Sequence, residues 1–246
     1  MNSNITSRLL ATALASFAIL AATFSTGCTS DPVSSQSDIV GGIYKPGSRP
    51  YGKTYAEWST AWWQWVFSQP VTNASGKVIH PLFDSTGANF NATASTSGSV
   101  IFLGGSLAPK SPFTRTITIP SGKALFLPML NTFADTTGGW TPDSMRVALD
   151  AAVGKVTDVS AEIDGQAVTT PKSYQFRSAL FSTTLPDHNF YQYWGNPIPA
   201  GTVIPYLSDG YWLMVAPLST GAHTIHFLGR TSDGILQDIT YKLTVQ

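Results

Sequence analysis

The most regular pattern in the chain is its last. Ile239, Tyr241, Leu243 and Val245 alternate with Asp238, Thr240, Lys242 and Thr244, a period of two that buries one face of a strand and wets the other. Val159, Ala161 and Ile163 alternate in the same way and run into Asp164-Gly165. That dipeptide fits a two-residue hairpin turn, which predicts a return strand through Gln166, Ala167 and Val168. Further strands are predicted over residues 100–103, 211–215 and 223–228. Residues 114–119, joined through Pro120, Ser121, Gly122 and Lys123 to the apolar run 124–130, read as another hairpin.

Two stretches carry the helical period instead. Thr54 and Glu57 stand in a capping-box arrangement, after which Tyr55, Trp58, Trp62, Trp65 and Val66 fall on one face before Pro70 ends the run. Glu57, Gln64 and Ser68 share the opposite face. Trp63 and Phe67 lie to one side of the stripe, so the helix must be covered on more than one flank. A shorter helix opens at Thr141-Pro142-Asp143 and runs through Met145, Ala148 and Leu149 towards Gly154.

Many short strands, turns rich in Gly and Pro, and one or two packed helices predict a mainly β fold. The expected architecture is a β-sandwich, immunoglobulin-like or jelly-roll-like, occupying residues 51–246 as one domain. Thr220-Gly221-Ala222-His223-Thr224-Ile225 and the strand that follows resemble the last hairpin of bacterial immunoglobulin-like domains.

The N-terminus is patterned differently. Arg8 precedes an apolar run over residues 9–24 and then Ser25-Thr26-Gly27-Cys28. A charged segment, a short apolar segment and small residues describe a signal peptide, too brief for a spanning helix of about 20 apolar residues. Small residues before a cysteine resemble the lipobox of bacterial lipoproteins, which implies cleavage after residue 27 and lipidation of Cys28. Thr29 after that cysteine implies the outer membrane in a two-membrane bacterium. Ser25 departs from the pattern, so ordinary secretion is the alternative. Residues 28–50 then read as a lipidated cysteine followed by a flexible tether.

Charged residues are 11% of the chain with a formal net charge of +0, against about 25% in an average soluble domain. With no basic stripe, nucleic acid is not an expected partner. Cys28 is the single cysteine, so disulfides and thiolate metal sites are not expected. No motif implies a cofactor. Tyr51-Gly52-Lys53-Thr54-Tyr55-Ala56-Glu57-Trp58, Trp62-Trp63-Gln64-Trp65, Phe102-Leu103-Gly104-Gly105 and Pro120-Ser121-Gly122-Lys123-Ala124-Leu125-Phe126 resemble motifs of a family of uncharacterised secreted bacterial proteins. The resemblance implies an extracytoplasmic place and no activity.

Candidate chemistry is sparse. Glu57 beside aromatic residues, Asp84 and His80 are the catalytic candidates, Glu57 also being readable as a plain capping carboxylate. His80 with Asp84, and Asp187 with His188, sit in loops. His223 and His226, three apart on a strand, point to opposite faces and cannot share one metal ion, so no metal site is expected. Trp58, Trp62 and Trp65 read as core. Trp63, Trp140, Trp194 and Tyr211 are the ligand-binding candidates, because flat aromatic faces on a low-charge surface suit sugar rings. Three classes follow: a lipid-anchored binding or adhesion domain with polysaccharide as its ligand, an envelope structural protein, or a secreted hydrolase with a carboxylate or histidine site. No protein partner is indicated.

Overall fold

The computed structural model describes residues 38–107 and 112–246. The predicted signal peptide and Cys28 lie outside the described residues. In chain order the elements are β1 (Ile39–Val40), β2 (Ile43–Tyr44), α1 (Tyr55–Phe67), β3 (Thr96–Ser97), β4 (Val100–Phe102), β5 (Phe113–Ile119) and β6 (Ala124–Asp135). There follow α2 (Pro142–Val153), β7 (Val156–Ile163), β8 (Gln166–Ala167), β9 (Gln175–Arg177), β10 (Phe181–Thr184), α3 (Phe190–Tyr193), β11 (Val203–Val215), β12 (Gly221–Thr231) and β13 (Leu236–Val245).

Two mixed sheets form a β-sandwich. The larger runs β1-β2-β11-β6-β4-β3, with β9 and β10 also on β11; the smaller runs β5-β13-β12-β7-β8. The terminal strand alternates as its sequence predicts, burying Ile239, Tyr241, Leu243 and Val245. The turn between β7 and β8 carries positive φ at both Asp164 (51°) and Gly165 (77°), the conformation a tight hairpin needs.

The expected hairpin of residues 114–119 with 124–130 is not formed. β5 pairs in parallel with β13, whereas β6 pairs with β11 and β4, so residues 120–123 carry the chain from one sheet to the other. The burial of the two strands explains the difference. β5 alternates and has one wet face, while the first seven residues of β6 are all buried, which requires cover on both faces.

The other departures lie at element ends. Residues 38–50, expected as tether, belong to the domain: β2 buries Ile43 and Tyr44 and pairs Ile43 with Val215 of β11. The strand expected over 211–215 is thirteen residues long, extending back through Pro205, Asp209 and Gly210, all of which argue against a strand locally. Residues 189–196, for which no element was predicted, contain α3, whose Asn189 and Gln192 form a capping box.

Helix α1 lies on one face of the large sheet. Its capping box is complete, with Thr54 N donating to Glu57 Oε2 at 2.7 Å and Glu57 N to Thr54 Oγ1 at 3.2 Å. Trp62 meets Trp212 at a centroid distance of 5.2 Å, and Trp212 stacks on Phe126. Trp63 and Phe67 are buried as the two-flank argument requires, against Phe133. Indole N–H groups tie the helix to its surroundings, Trp58 donating to Pro50 O and Trp62 to Leu103 O, each at 2.9 Å. Truncating one of these fully buried rings to alanine would cost about 3–5 kcal/mol. Leu125, Leu127, Leu213 and Val215 point to the opposite side of the sheet and are equally buried.

β6 outruns its neighbour β4, which pairs with residues 124–126 alone. Its register with β11 slips between Tyr211 and Trp212, passing over Met129. Pro128, with no N–H to give, sits at this bulge. The far part of β6 therefore has a free edge among the described strands.

Candidate binding cavity

The catalytic candidates are each absorbed by structure. Glu57 is exposed, and the Thr54 amide and hydroxyl hold its carboxyl below the usual range, with Arg49 adding to the effect. A general acid needs the opposite shift. His80 is buried and accepts from Leu82 N through Nδ1 at 3.1 Å, which leaves the proton on Nε2 for Val66 O, also at 3.1 Å. Burial pushes its pKa down to about 4, so the ring is neutral. Burial would raise Asp84, but the amides of Asn89 and Thr86 together hold it below its usual value. Its oxygens close their own loop on Thr86 and Asn89. None of the three bonds to another.

Ser219, His223 and Asp164 fall in the order of a nucleophilic triad. His223 Nδ1 is 2.7 Å from Asp164 Oδ2, and Ser219 Oγ is 3.2 Å from Nε2. The Ser219 carbonyl oxygen is closer, at 2.9 Å, so Nε2 donates there. The bond to Asp164 raises the His223 pKa, and a ring that donates from both nitrogens cannot take a serine proton. The arrangement ties loops together. His226 has a separate partner, Asp238 Oδ1 at 2.9 Å. Asp187 and His188 stand 3.9 Å apart and exposed.

Another charged group went unread in the sequence. Asp209 is fully buried beneath α2, with Gln175 Nε2 donating to its Oδ1 at 3.1 Å and Arg177 Nε 3.0 Å from its Oδ2. Burial raises its pKa against these partners. Arg177 also reaches Asp150 on α2 at 2.7 Å, so the cluster fastens the helix to the sheet.

The aromatic candidates fare differently. Trp63 and Tyr211 are buried but border a cavity of ≈ 490 Å³ at the free edge of β6. Trp62 and Trp63 wall it from α1, Leu130 and Phe133 from β6, and Val153 and Leu236 from beyond. None of its described lining residues carries a charge. Trp63 Nε1 and Asn131 Nδ2 are buried donors without a partner, and both residues line this space. Trp65 and Trp212 also bury unpartnered indole N–H groups, but within aromatic packing and not on this cavity. A buried unmet donor costs about 1–3 kcal/mol.

Trp140 is 46% exposed and borders a second hollow of ≈ 430 Å³ with Asp135 and Thr137. The two hollows have Thr132, Phe133 and Ala152 in common. Trp194, 49% exposed, lines neither. It leans on Phe190 and Tyr191 of α3. The structure thus brings Trp63, Tyr211 and Trp140 to one region and leaves Trp194 outside it. Asn131 and Asp135 were missed. The available signal was a polar amide directly following the seven-residue apolar run of β6.

No protein-family model matches the chain, and no curated protein matches it. Among solved structures, the solution structure of Amebosin aligns with 55% of this chain and 100% of that one, at 16% identity and a TM-score of 0.18. An overlap that small carries no argument about fold or function.

Proposed function

We propose that the chain is an extracytoplasmic binding domain, held at the envelope by a lipid on Cys28, that takes an uncharged, oxygen-bearing ligand into the cavity beside Trp63 and Asn131. One observation carries the binding reading: two buried N–H donors lack partners at the same apolar space. Small-molecule sites combine apolar walls with a few convergent polar groups, in volumes of roughly 300–1,000 Å³. An acceptor oxygen meeting these donors would remove the cost of leaving them unpaired. The absence of charge among the described lining residues favours a neutral ligand over an ionised one, and a glycan or other polyol derivative meets that description.

The deciding experiment is Asn131→Leu with tryptophan fluorescence titration across a panel of oligosaccharides and neutral alcohols. Quenching that saturates in the natural chain and weakens at least about ten-fold in the variant supports the cavity reading. Silence across the panel transfers the weight to an envelope structural role, and release of new reducing ends to a hydrolase. Anchoring is tested separately. Cys28→Ser yields a product that leaves the membrane fraction if the lipid reading is right, and unchanged partitioning would overturn it.

A further inference from the structure

The next step rests on the reading of the inner cavity and extends it to the ligand as a whole. The inner cavity and the hollow at Trp140 adjoin along Thr132, Phe133 and Ala152, so a ligand seated in one has the other beside it. Their chemistries differ. The inner space has mainly apolar walls, interrupted by polar groups such as Gln237 and Thr231, and two unmet N–H donors. The outer one carries a carboxylate, two threonine hydroxyls and a half-exposed indole.

The outer hollow is fitted to a ring bearing hydroxyls. Gly138 lets the Trp140 ring lie close on the backbone: a Cβ at position 138 would come within 3.0 Å of Trp140 Cδ1 and 3.1 Å of Nε1. The ring thus sits against residue 138 while Trp140 stays 46% exposed. Asp135 Oδ1 already accepts from Thr137 N at 2.8 Å and Thr137 Oγ1 at 2.5 Å. Its Oδ2 accepts one bond, from Tyr191 Oη at 2.7 Å. A carboxylate offers about four acceptor sites, so one remains on Oδ2 for a ligand hydroxyl. The Thr137 oxygen, which donates its proton to Asp135, is free to accept. A flat aromatic face beside such groups suits the C–H face and hydroxyls of a sugar ring.

We infer that the ligand is a glycoside, its aglycone, apolar but for an acceptor oxygen that meets the two donors, in the Trp63/Asn131 cavity and its sugar ring on Trp140 with a hydroxyl donating to Asp135 Oδ2. Binding each part separately forfeits the gain of having the second already in place.

The test is calorimetry of the purified full chain with hexanol, glucose and 6-hydroxyhexyl β-glucoside, whose free hydroxyl can meet the inner donors, repeated on Trp140→Ala. The glucoside is expected to bind at least about ten-fold tighter than hexanol. Trp140→Ala is expected to erase that advantage and leave hexanol unchanged. Equal affinity of the glucoside and hexanol overturns the two-part ligand, as does glucose binding as tightly as the glucoside. Equal weakening of hexanol and glucoside by Trp140→Ala overturns it too, and Trp140→Phe shows whether that loss came from packing, because it keeps a flat ring. In each of these cases hexanol still reports on the inner cavity. Failure of hexanol to bind the natural chain is the distinct result that overturns the cavity reading itself.

Discussion

Tyr206 and Tyr191 hold their hydroxyl oxygens 3.1 Å apart, and Tyr191 Oη lies 2.7 Å from Asp135 Oδ2. Each phenol has one proton, and the carboxylate is the strongest acceptor, so Tyr206 donates to Tyr191 and Tyr191 to Asp135. Burial, first of all, pushes both phenols far above their usual pKa, which keeps the protons in place. The chain fastens α3 to the end of β6. Tyr191→Phe is expected to destabilise the fold by about 1.5–3 kcal/mol, the range for a hydrogen bond to a charged group. Adding Tyr206→Phe should cost less than the two single changes summed. Urea unfolding of the double-mutant cycle checks both, and strict additivity would break the relay.

Asn131→Leu should make the unliganded fold more stable by about 1–3 kcal/mol, since it deletes a buried donor that has no partner. The same change should weaken binding in the cavity at least about ten-fold. Thermal melts together with titrations read the opposed effects. A loss of stability would mean the amide is held by something within the fold.

The His223–Asp164 pair gives a pH signature. The His223 pKa is raised, so its contribution is complete below the unfolded value of about 6.5 and is lost as pH rises through the folded one. Asp164 is lowered on balance, burial opposing and the bond from His223 favouring the charge. Its contribution is present above about 3.9 and lost as pH falls through the folded value. The stability difference between the natural chain and His223→Gln should therefore be greatest in mildly acidic solution and shrink as pH rises above about 6.5. A difference that does not fall as the solution is made alkaline would refute it.

Gly229 sits where β12 crosses the bulge of β6. A Cβ there would stand 2.5 Å from Leu130 Cβ and 2.6 Å from Met129 O. Gly229→Ala is expected to force the sheets apart at a cost of about 1–3 kcal/mol, whereas Gly122→Ser, with nothing within 4 Å but a φ of 73°, should cost about 1 kcal/mol from backbone conformation alone. Denaturant midpoints compare them. An unaffected Gly229→Ala would mean the two sheets can slide at this point.

Thr54→Ala removes the cap of α1 and should cost about 0.5–2 kcal/mol. Glu57→Gln should leave ligand binding and any reaction untouched, because the carboxyl is committed to Thr54. Loss of a catalytic rate in Glu57→Gln, with melting unchanged, would restore it as a functional acid.

Elements governed by local periodicity were legible in the sequence. The capping box of α1, the Thr141-Pro142 start of α2, the Asp164-Gly165 turn and the alternating last strand each follow from contacts within a few residues, and so each could be read from a short window. The Asn189/Gln192 capping box of α3 is equally local. Tertiary structure decided what depends on partners distant in the chain. Whether residues 114–119 and 124–130 pair was settled by β13, β4 and β11, since a turn sequence joins two strands in one sheet or in two with the same residues. Pro205, Asp209 and Gly210 became strand because β6, β9 and β10 pair along β11 and Arg177 meets the carboxylate. The cavity was least legible of all. Trp63 and Asn131 come from a helix and a strand far apart in sequence, and a cavity exists only where packed surfaces fail to meet, a property no single segment carries.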